Sequence, residues 1–194
     1  MLLSGFALSR ADGIFRSVGE LGDVAPARHM TTPGNWRMSV AMTNCGSVGW
    51  VSDRRGYRYS ATDPETGQAW PAMPASFAAL ASDAAAAAGF AGFAADACLI
   101  SRYQPGARLS LHQDRDERDF ESPIVSLSLG LPAVFLFGGR ERSATPQQVP
   151  LEHGDIVVWG GPARLAYHGV KKLAEGAHPL VGRQRLNLSF RRAL

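Results

Sequence analysis

Near the end of the chain, the stretch Arg185-Leu186-Asn187-Leu188-Ser189-Phe190-Arg191 alternates strictly between polar and apolar residues, which predicts a β-strand. If its apolar face packs on a neighbouring layer, the two arginines line a cavity and need an anionic partner. A dicarboxylic co-substrate would serve. The strand spans about 20 Å, longer than a five-carbon diacid, so we expect one arginine to grip a carboxylate and the other to position its neighbours. The alternative is an edge strand with a solvated arginine face.

Short strand-like runs precede this stretch and are separated by glycine and proline. They are Ala97–Tyr103, Ile124–Leu131, Ala133–Phe137 and Asp155–Trp159. This rhythm is typical of an antiparallel sandwich or jelly roll. Further upstream, the alanine-rich residues 77–89 predict one amphipathic helix capped by Ser76. The aromatic and arginine-rich residues 26–70 predict strands and hairpin loops.

Length and composition indicate one folded domain. The 194 residues are 45% hydrophobic and 19% charged, and no apolar run approaches the roughly 18 residues that a membrane span needs. Met1-Leu2-Leu3 lacks the features of a signal peptide. Cys45 and Cys98 are isolated and fit buried free thiols in a reducing compartment, so we expect a cytoplasmic protein. The net charge of +3 rests mainly on arginines, which makes nucleic acid one candidate partner.

A histidine and an aspartate stand two residues apart in Leu109-Ser110-Leu111-His112-Gln113-Asp114. On an extended strand this spacing places His112 and Asp114 on the same face. With the distant His168, they supply the two nitrogens and one carboxylate of the facial triad that holds non-haem Fe(II). Chance occurrence of this short pattern is the alternative. No P-loop, GxGxxG, GxSxG or HExxH motif is present, so nucleotide hydrolysis, dinucleotide chemistry and serine or zinc hydrolysis lack support.

These pieces, in this order, resemble the AlkB family of Fe(II)- and 2-oxoglutarate-dependent nucleic-acid demethylases, specifically its bacterial repair branch. The resemblance runs from His29 onward, and its most specific parts are Met38–Gly46, Leu109–Asp114 with Asp116-Glu117, Leu151–Asp155 with Trp159-Gly160-Gly161, and the closing Arg-x-Asn-x-Ser-x-Arg. It implies a mainly β fold: a double-stranded β-helix (jelly roll) with a supporting helix and an N-terminal nucleotide-recognition hairpin. Residues 1–194 would form a single domain, with 1–95 as the N-terminal extension and 96–194 as the catalytic core.

The resemblance assigns iron to His112, Asp114 and His168, and the distal carboxylate of 2-oxoglutarate to Arg185. The co-substrate site would be completed by Ser101, Tyr103, Asn187 and Arg191. Ser101 replaces the asparagine of the best-known bacterial members, and its shorter hydroxyl would reach the co-substrate through water. The chain also begins nearer the core than the family leads us to expect, so an N-terminal segment is expected to be missing.

The aromatic section acquires a role from the resemblance, because an enzyme that acts on a base must extrude it and hold it between flat side chains. Trp50 and His168 would flank the damaged base, and Tyr57 and Tyr59 would reach backbone and base. Asp116 is two residues beyond Asp114 and is expected on the same face of the strand. It would accept a hydrogen bond from an exocyclic amino group of the base or favour a cationic methylated base. Phosphate contacts are implied for Arg108, Arg115 and Arg142. There is an alternative for each of these roles. The aromatic residues could pack within a surface hairpin, Asp116 could be an acidic residue of a solvent-exposed loop, and the arginines could be solvated surface charges.

The activity implied by the resemblance is oxidative demethylation of 1-methyladenine and 3-methylcytosine in single-stranded DNA, with RNA as a further candidate. Fe(II), 2-oxoglutarate and O2 would be needed, and formaldehyde, succinate and CO2 released. We expect a monomer with no membrane partner. Two alternatives stay open at this point. One is the same oxygenase chemistry on a protein side chain or small molecule, and the other is a non-catalytic jelly-roll protein that binds nucleic acid.

Overall fold

Twelve β-strands and two α-helices build the computed structural model, which describes residues 1–194. The strands are β1 (Leu2–Leu3), β2 (Ala41–Gly46), β3 (Gly49–Asp53), β4 (Gly56–Ser60), β5 (Ala97–Tyr103), β6 (Leu109–His112), β7 (Ile124–Gly130), β8 (Ala133–Phe137), β9 (Gln147–Leu151), β10 (Ile156–Trp159), β11 (His168–Val170) and β12 (Arg185–Arg191). The helices are α1 (Ala11–Val24) and α2 (Ala75–Ala87). Neither helix is long and apolar enough to cross a membrane.

The strands form two larger antiparallel sheets and one hairpin. Six strands follow the order β1-β10-β7-β12-β5-β2, four follow β6-β11-β8-β9, and β3 pairs with β4. One buried cluster contains side chains from both larger sheets, such as Tyr103 and Leu99 of the first and Phe135 and Val170 of the second. The prediction of a mainly β jelly roll is confirmed, because two antiparallel sheets pack on each other through this shared cluster.

Strand β12 is central, so the interpretation of residues 185–191 as a solvated edge strand is wrong. It pairs with β5 on one side and β7 on the other, and all seven of its residues are buried. The apolar face carries Leu186, Leu188 and Phe190 into a core shared with both helices. There the Phe190 ring meets the Phe77 ring of α2 edge to face at 6.1 Å. The polar face is thereby turned towards the space between the sheets.

The first helix was not anticipated from the sequence. Ile14 and Leu21 of α1 are buried at helical spacing, but Gly13, Gly19 and Gly22 weaken the helical signal. The second helix was expected, although its predicted cap is wrong. It begins at Ala75 after Pro74, and Ser76 lies inside its first turn with no capping hydrogen bond.

The hairpin β3–β4 is held to the sheet by one side chain of β2. Asn44 accepts a hydrogen bond from the Trp50 backbone N–H and donates one to the Trp50 carbonyl, each at 3.0 Å. Gly49 allows this close approach, because a Cβ there would lie 2.5 Å from the Trp70 ring. The division of the chain at residue 95 stays a prediction, and both β1 and β2 pair with strands that lie beyond it.

Candidate active site

The two histidines of the proposed triad face each other across a strand pair. His112, the last residue of β6, is directly opposite His168, the first residue of β11. The expectation that Asp114 continues the same strand is wrong, because β6 ends at His112. The carboxylate nevertheless converges with the rings: His112 Nε2 is 3.6 Å from Asp114 Oδ1, and His168 Nε2 is 3.7 Å from Asp114 Oδ2. The structure therefore brings all three side chains together.

Both imidazoles are prepared to bind a metal through Nε2. In each ring Nδ1 lies against a backbone carbonyl, that of Ser110 at 2.9 Å and that of Ala166 at 3.0 Å. A carbonyl can only accept, so Nδ1 carries the proton and the Nε2 lone pair is free. Burial lowers the pKa of His168 to about 4 despite the nearby Asp114, so this ligand is neutral at pH 7. Two neutral nitrogens and one carboxylate fit Fe(II).

Asp114 is ionised and fixed by Arg191. Arg191 donates to Asp114 Oδ2 from Nη2 at 2.6 Å and from Nε at 2.9 Å. Burial alone would raise the pKa of Asp114, but the charge of Arg191 and its hydrogen bonds to the carboxylate outweigh this effect and hold the pKa well below its ordinary value. Arg191, expected to complete the co-substrate site, thus contacts a proposed metal ligand directly. This contact agrees with the expectation that one of the two arginines positions its neighbours.

Glu117 belongs to the same charge network and was missed as a site residue. Its side chain is buried, 3.3 Å from Arg191 Nε and 3.3 Å from Arg164 Nη2, and it accepts a hydrogen bond from the Tyr59 hydroxyl at 2.7 Å. Arg164 also donates to the Asp114 carbonyl at 2.9 Å. In the sequence Glu117 stands among other acidic residues of a loop, and no local pattern distinguishes it from them.

Replacing Glu117 with glutamine is expected to lower the free energy of unfolding of the apoprotein by about 3 kcal/mol, because two buried arginines lose their shared counter-charge. Urea unfolding would measure this loss. Glu121→Gln, a change of the same kind at an exposed residue, should stay within about 0.5 kcal/mol of the unaltered chain. Equal stability of the two variants would mean that the network is not a structural element.

Arg185 is the deepest cation of the polar face. It is 1% exposed, donates to the Ser128 hydroxyl at 2.8 Å, and lies 5.0 Å from the centre of the Tyr103 ring. Its Nε and Nη1 are buried and have no hydrogen-bond partner. Unpaired buried donors are costly, and two N–H groups of one guanidinium match a carboxylate. A fully buried guanidinium with unpaired N–H donors needs an anionic partner, and the distal carboxylate of 2-oxoglutarate fits this need.

The other residues that the sequence proposes for the co-substrate site lie on the same face of the six-stranded sheet. Tyr103 is opposite Arg185, and Ser101 is opposite Asn187. Asn187 donates to the Ser126 hydroxyl and to the Leu127 carbonyl, each at 2.8 Å. Both N–H groups of its amide are thus engaged within the protein, so it is held in one orientation.

The hairpin presents an aromatic pair and a carboxylate. Trp50 stacks on Tyr57, with ring centres 5.6 Å apart and planes 13° from parallel, and its Nε1 donates to Asp116 at 2.8 Å. Asp116 lies in the loop after β6, so the expectation that it shares a strand with Asp114 is wrong. Tyr57 is exposed, whereas the hydroxyl of Tyr59 points inward to Glu117. The arginines proposed for phosphate contacts are all exposed and form no salt bridge: Arg108, Arg115 and Arg142.

Comparisons with known proteins agree with this architecture. A family model for the 2OG-Fe(II) oxygenase superfamily matches residues 6–191. The chain is 55% identical over 193 residues to the alpha-ketoglutarate-dependent dioxygenase AlkB of Salmonella typhimurium and 54% identical to that of Escherichia coli, covering 100% of this chain and 89% of each relative. A solved structure of OsALKBH1 matches with a TM-score of 0.80 at 30% identity, over 98% of this chain and 96% of that one. The chain therefore belongs to the 2OG-Fe(II) oxygenase superfamily and, within it, to the AlkB family of Fe(II)- and 2-oxoglutarate-dependent dioxygenases.

Proposed function

We propose that this dioxygenase demethylates N-alkylated bases in nucleic acid, with 1-methyladenine and 3-methylcytosine in single-stranded DNA as its main substrates and RNA as a second one. The observation that carries the proposal is the stacked pair Trp50–Tyr57 tied to Asp116. Asp116 follows the proposed iron ligand Asp114 by two residues, so a flat ring on the hairpin would lie next to the metal centre. An enzyme for a small flexible metabolite has no need of such a platform.

The recognition of the base is divided between stacking and charge. A base must leave its helical stack to reach a buried atom of the enzyme, and this costs least in a single strand. Trp50 offers its ring face to the extruded base, and its indole N–H is held by Asp116 at 2.8 Å. Methylation at the pairing edge leaves the base cationic, and the adjacent carboxylate favours that charge.

In the proposed reaction, the chain's own residues bind and orient. His112, Asp114 and His168 would hold Fe(II), which when bound supplies the oxidising chemistry for hydroxylation of the N-methyl group by O2 and 2-oxoglutarate. Arg185 would hold the distal carboxylate, and Arg191 fixes the orientation of Asp114. One oxygen atom of O2 enters succinate as CO2 leaves, and the other enters the methyl group. The hydroxymethyl group then leaves as formaldehyde and the unmethylated base is restored.

The working state follows from the same features. We propose that a single copy of the chain binds one strand, since the residues of the candidate site all come from one chain. We also propose a cytoplasmic location, because Cys45 and Cys98 are free, as in reducing compartments. The phosphates of the strand would meet the exposed side chains of Arg108, Arg115 and Arg142.

Trp50→Ala is expected to raise the KM for an oligonucleotide containing 3-methylcytosine about five- to a hundredfold, because stacking of a base on an aromatic ring contributes about 1–3 kcal/mol. Consumption of 2-oxoglutarate without substrate should change far less. Formaldehyde release from single strands, duplexes and unmethylated controls measures the first effect. Trp50→Phe, which keeps a flat ring but loses the N–H to Asp116, should retain most of the affinity.

Two results would overturn the proposed function. If the unaltered enzyme consumes 2-oxoglutarate but releases no formaldehyde from any methylated strand, its substrate is a protein side chain or a small molecule. If Trp50→Ala demethylates oligonucleotides as well as the unaltered chain, the hairpin is not the base platform. A result with RNA strands alone would reverse the proposed order of preference and leave the chemistry intact.

A further inference from the structure

Trp36 is the most exposed large hydrophobic side chain of the protein. Its relative exposure is 78%, compared with 46% for Tyr57. An indole left in water has an apolar surface that is not used by the fold, and tryptophan is among the residues that most often anchor binding surfaces. It belongs neither to the metal centre nor to the co-substrate face described above.

The backbone around Trp36 forms a hydrogen-bonded turn. Residues 31–37 form a tight turn in which the Thr32 N–H donates to the Trp36 carbonyl at 2.9 Å and the Trp36 N–H donates to the Thr32 hydroxyl at 3.1 Å. Asn35 takes a left-handed conformation with φ of 62°. The indole lies over Gly34, where a Cβ would be 3.3 Å from the ring. One side of the ring therefore rests on the turn, and the ring is held ready for a partner.

This turn lies beside the face of the hairpin that carries Trp50. The Ser52 hydroxyl donates to the Thr31 carbonyl at 2.6 Å. Ser52 shares a strand face with Trp50, two residues away, and is opposite Tyr57. At the hairpin tip, Arg54 Nε donates to the Asn35 side chain at 3.4 Å. The turn that carries Trp36 is thus hydrogen-bonded to the hairpin that carries Trp50 and Tyr57.

The same segment also reaches the strand that carries the metal ligand. The Ser39 hydroxyl donates to the Arg108 carbonyl at 2.9 Å and accepts from the Arg108 N–H at 3.1 Å. Arg108 immediately precedes β6, which ends at His112. The segment 31–39 is therefore hydrogen-bonded both to the hairpin and to the residue that precedes β6.

The charges around Trp36 are cationic. Arg37 and Arg54 are exposed and form no salt bridge. Arg55 has only Asp53 at 3.9 Å, and Asp53 is held more closely by Arg58 at 2.7 Å. An exposed aromatic ring beside arginines that form no salt bridge suits single-stranded nucleic acid, because a base can stack on the ring and the phosphates can pair with the arginines.

We infer that Trp36 is a second stacking platform, which binds a base flanking the lesion on the same strand, while Arg37 and Arg54 contact its phosphates. The inference rests on the proposed function and adds to it a contact outside the metal centre, made by Trp36 with a neighbouring nucleotide of the strand. The hydrogen-bonded turn fixes the backbone of Trp36, so binding has to order the indole side chain alone. Longer lesion-containing strands should therefore bind more tightly than a methylated mononucleotide.

The test compares Trp36→Ala with the unaltered enzyme, loaded with Fe(II) and 2-oxoglutarate and kept free of oxygen. Binding is measured for 3-methylcytidine monophosphate and for a nine-nucleotide strand with 3-methylcytosine at its centre. The variant should bind the strand about five- to a hundredfold more weakly and the mononucleotide equally well. Trp36→Phe should retain most of the affinity for the strand. Val24→Ala, at another exposed apolar residue, should bind both ligands like the unaltered chain.

The fluorescence of 2-aminopurine at each position beside the lesion locates the contact. At one position, binding should quench the probe in the unaltered enzyme and not in Trp36→Ala. If Trp36→Ala keeps the full affinity for the strand, the inference is wrong. It is equally wrong if the variant changes only self-association in sedimentation velocity. These binding measurements need no turnover, so they remain decisive even where formaldehyde release contradicts the proposed function.

Discussion

His112→Ala is expected to abolish consumption of 2-oxoglutarate and to abolish the binding of one equivalent of Co(II) that we expect for the unaltered chain. The remaining two ligands cannot complete the facial triad that leaves positions open for co-substrate and oxygen. The fold should survive, since the side chain of His112 is 35% exposed and its ring makes only a local hydrogen bond to Ser110. Co(II) titration of the apoprotein reports metal binding independently of activity.

Asp114→Ala should lose the metal as well, but it should also destabilise the apoprotein. Arg191 is buried and would keep only Glu117 as a counter-charge, and breaking a buried pair costs about 3–5 kcal/mol. His178→Ala is the control, because His178 stacks on His153 away from the site and contacts no proposed ligand. If His112→Ala or Asp114→Ala bound Co(II) like the unaltered chain, the triad assignment would be wrong.

Arg185→Lys is expected to raise the concentration of 2-oxoglutarate needed for half-maximal rate about ten- to a hundredfold. A lysine ammonium is a point charge and cannot present two parallel N–H donors to a carboxylate. Loss of a charge-assisted hydrogen bond corresponds to about 1.5–3 kcal/mol. The maximal rate at saturating co-substrate should fall less than the affinity, because the metal ligands are untouched.

A nearby arginine provides the matched control for this variant. Arg183 lies two residues before Arg185 in the chain, but its side chain is 71% exposed and pairs with Glu175. The control variant is Arg183→Lys. It should leave the 2-oxoglutarate requirement unchanged. Isothermal titration of 2-oxoglutarate into Co(II)-loaded protein separates binding from turnover, and equal affinity of Arg185→Lys and the unaltered chain would exclude Arg185 from the co-substrate site.

Periodicity predicted the central strands well and the peripheral elements poorly. β5, β8 and β12 have the expected bounds, and each is an interior strand that pairs with a neighbour on both sides. β9 escaped notice because it is a polar edge strand that contains Pro150. β11 is only three residues long, too short to carry a pattern.

The metal ligands could be proposed from residue types, whereas their setting could not. His112, Asp114 and His168 have a recognisable composition and order, and the fold brings them together. The roles of Glu117 and Arg164 depend on contacts between residues that are distant in sequence. Glu117 is separated by 58 residues from Tyr59 and by 47 residues from Arg164. Local spacing holds no information about such contacts. The role in base recognition that we propose for the hairpin came from the family resemblance. Only the tertiary structure distinguishes the exposed Tyr57 from Tyr59, whose hydroxyl points inward.

The bond between Tyr59 and Glu117 has a consequence for redesign of substrate range. Some positions of the hairpin β3–β4 are exposed and free to vary, whereas others contact the charge network around Asp114. Tyr57 and the tip residues Arg54 and Arg55 are exposed, so a library of variants there samples new base and backbone contacts at little cost to folding. Randomising Tyr59 would instead disturb the Glu117 carboxylate, which contacts the same Arg191 side chain that holds Asp114. A search for new specificity would then yield inactive variants for reasons unrelated to recognition.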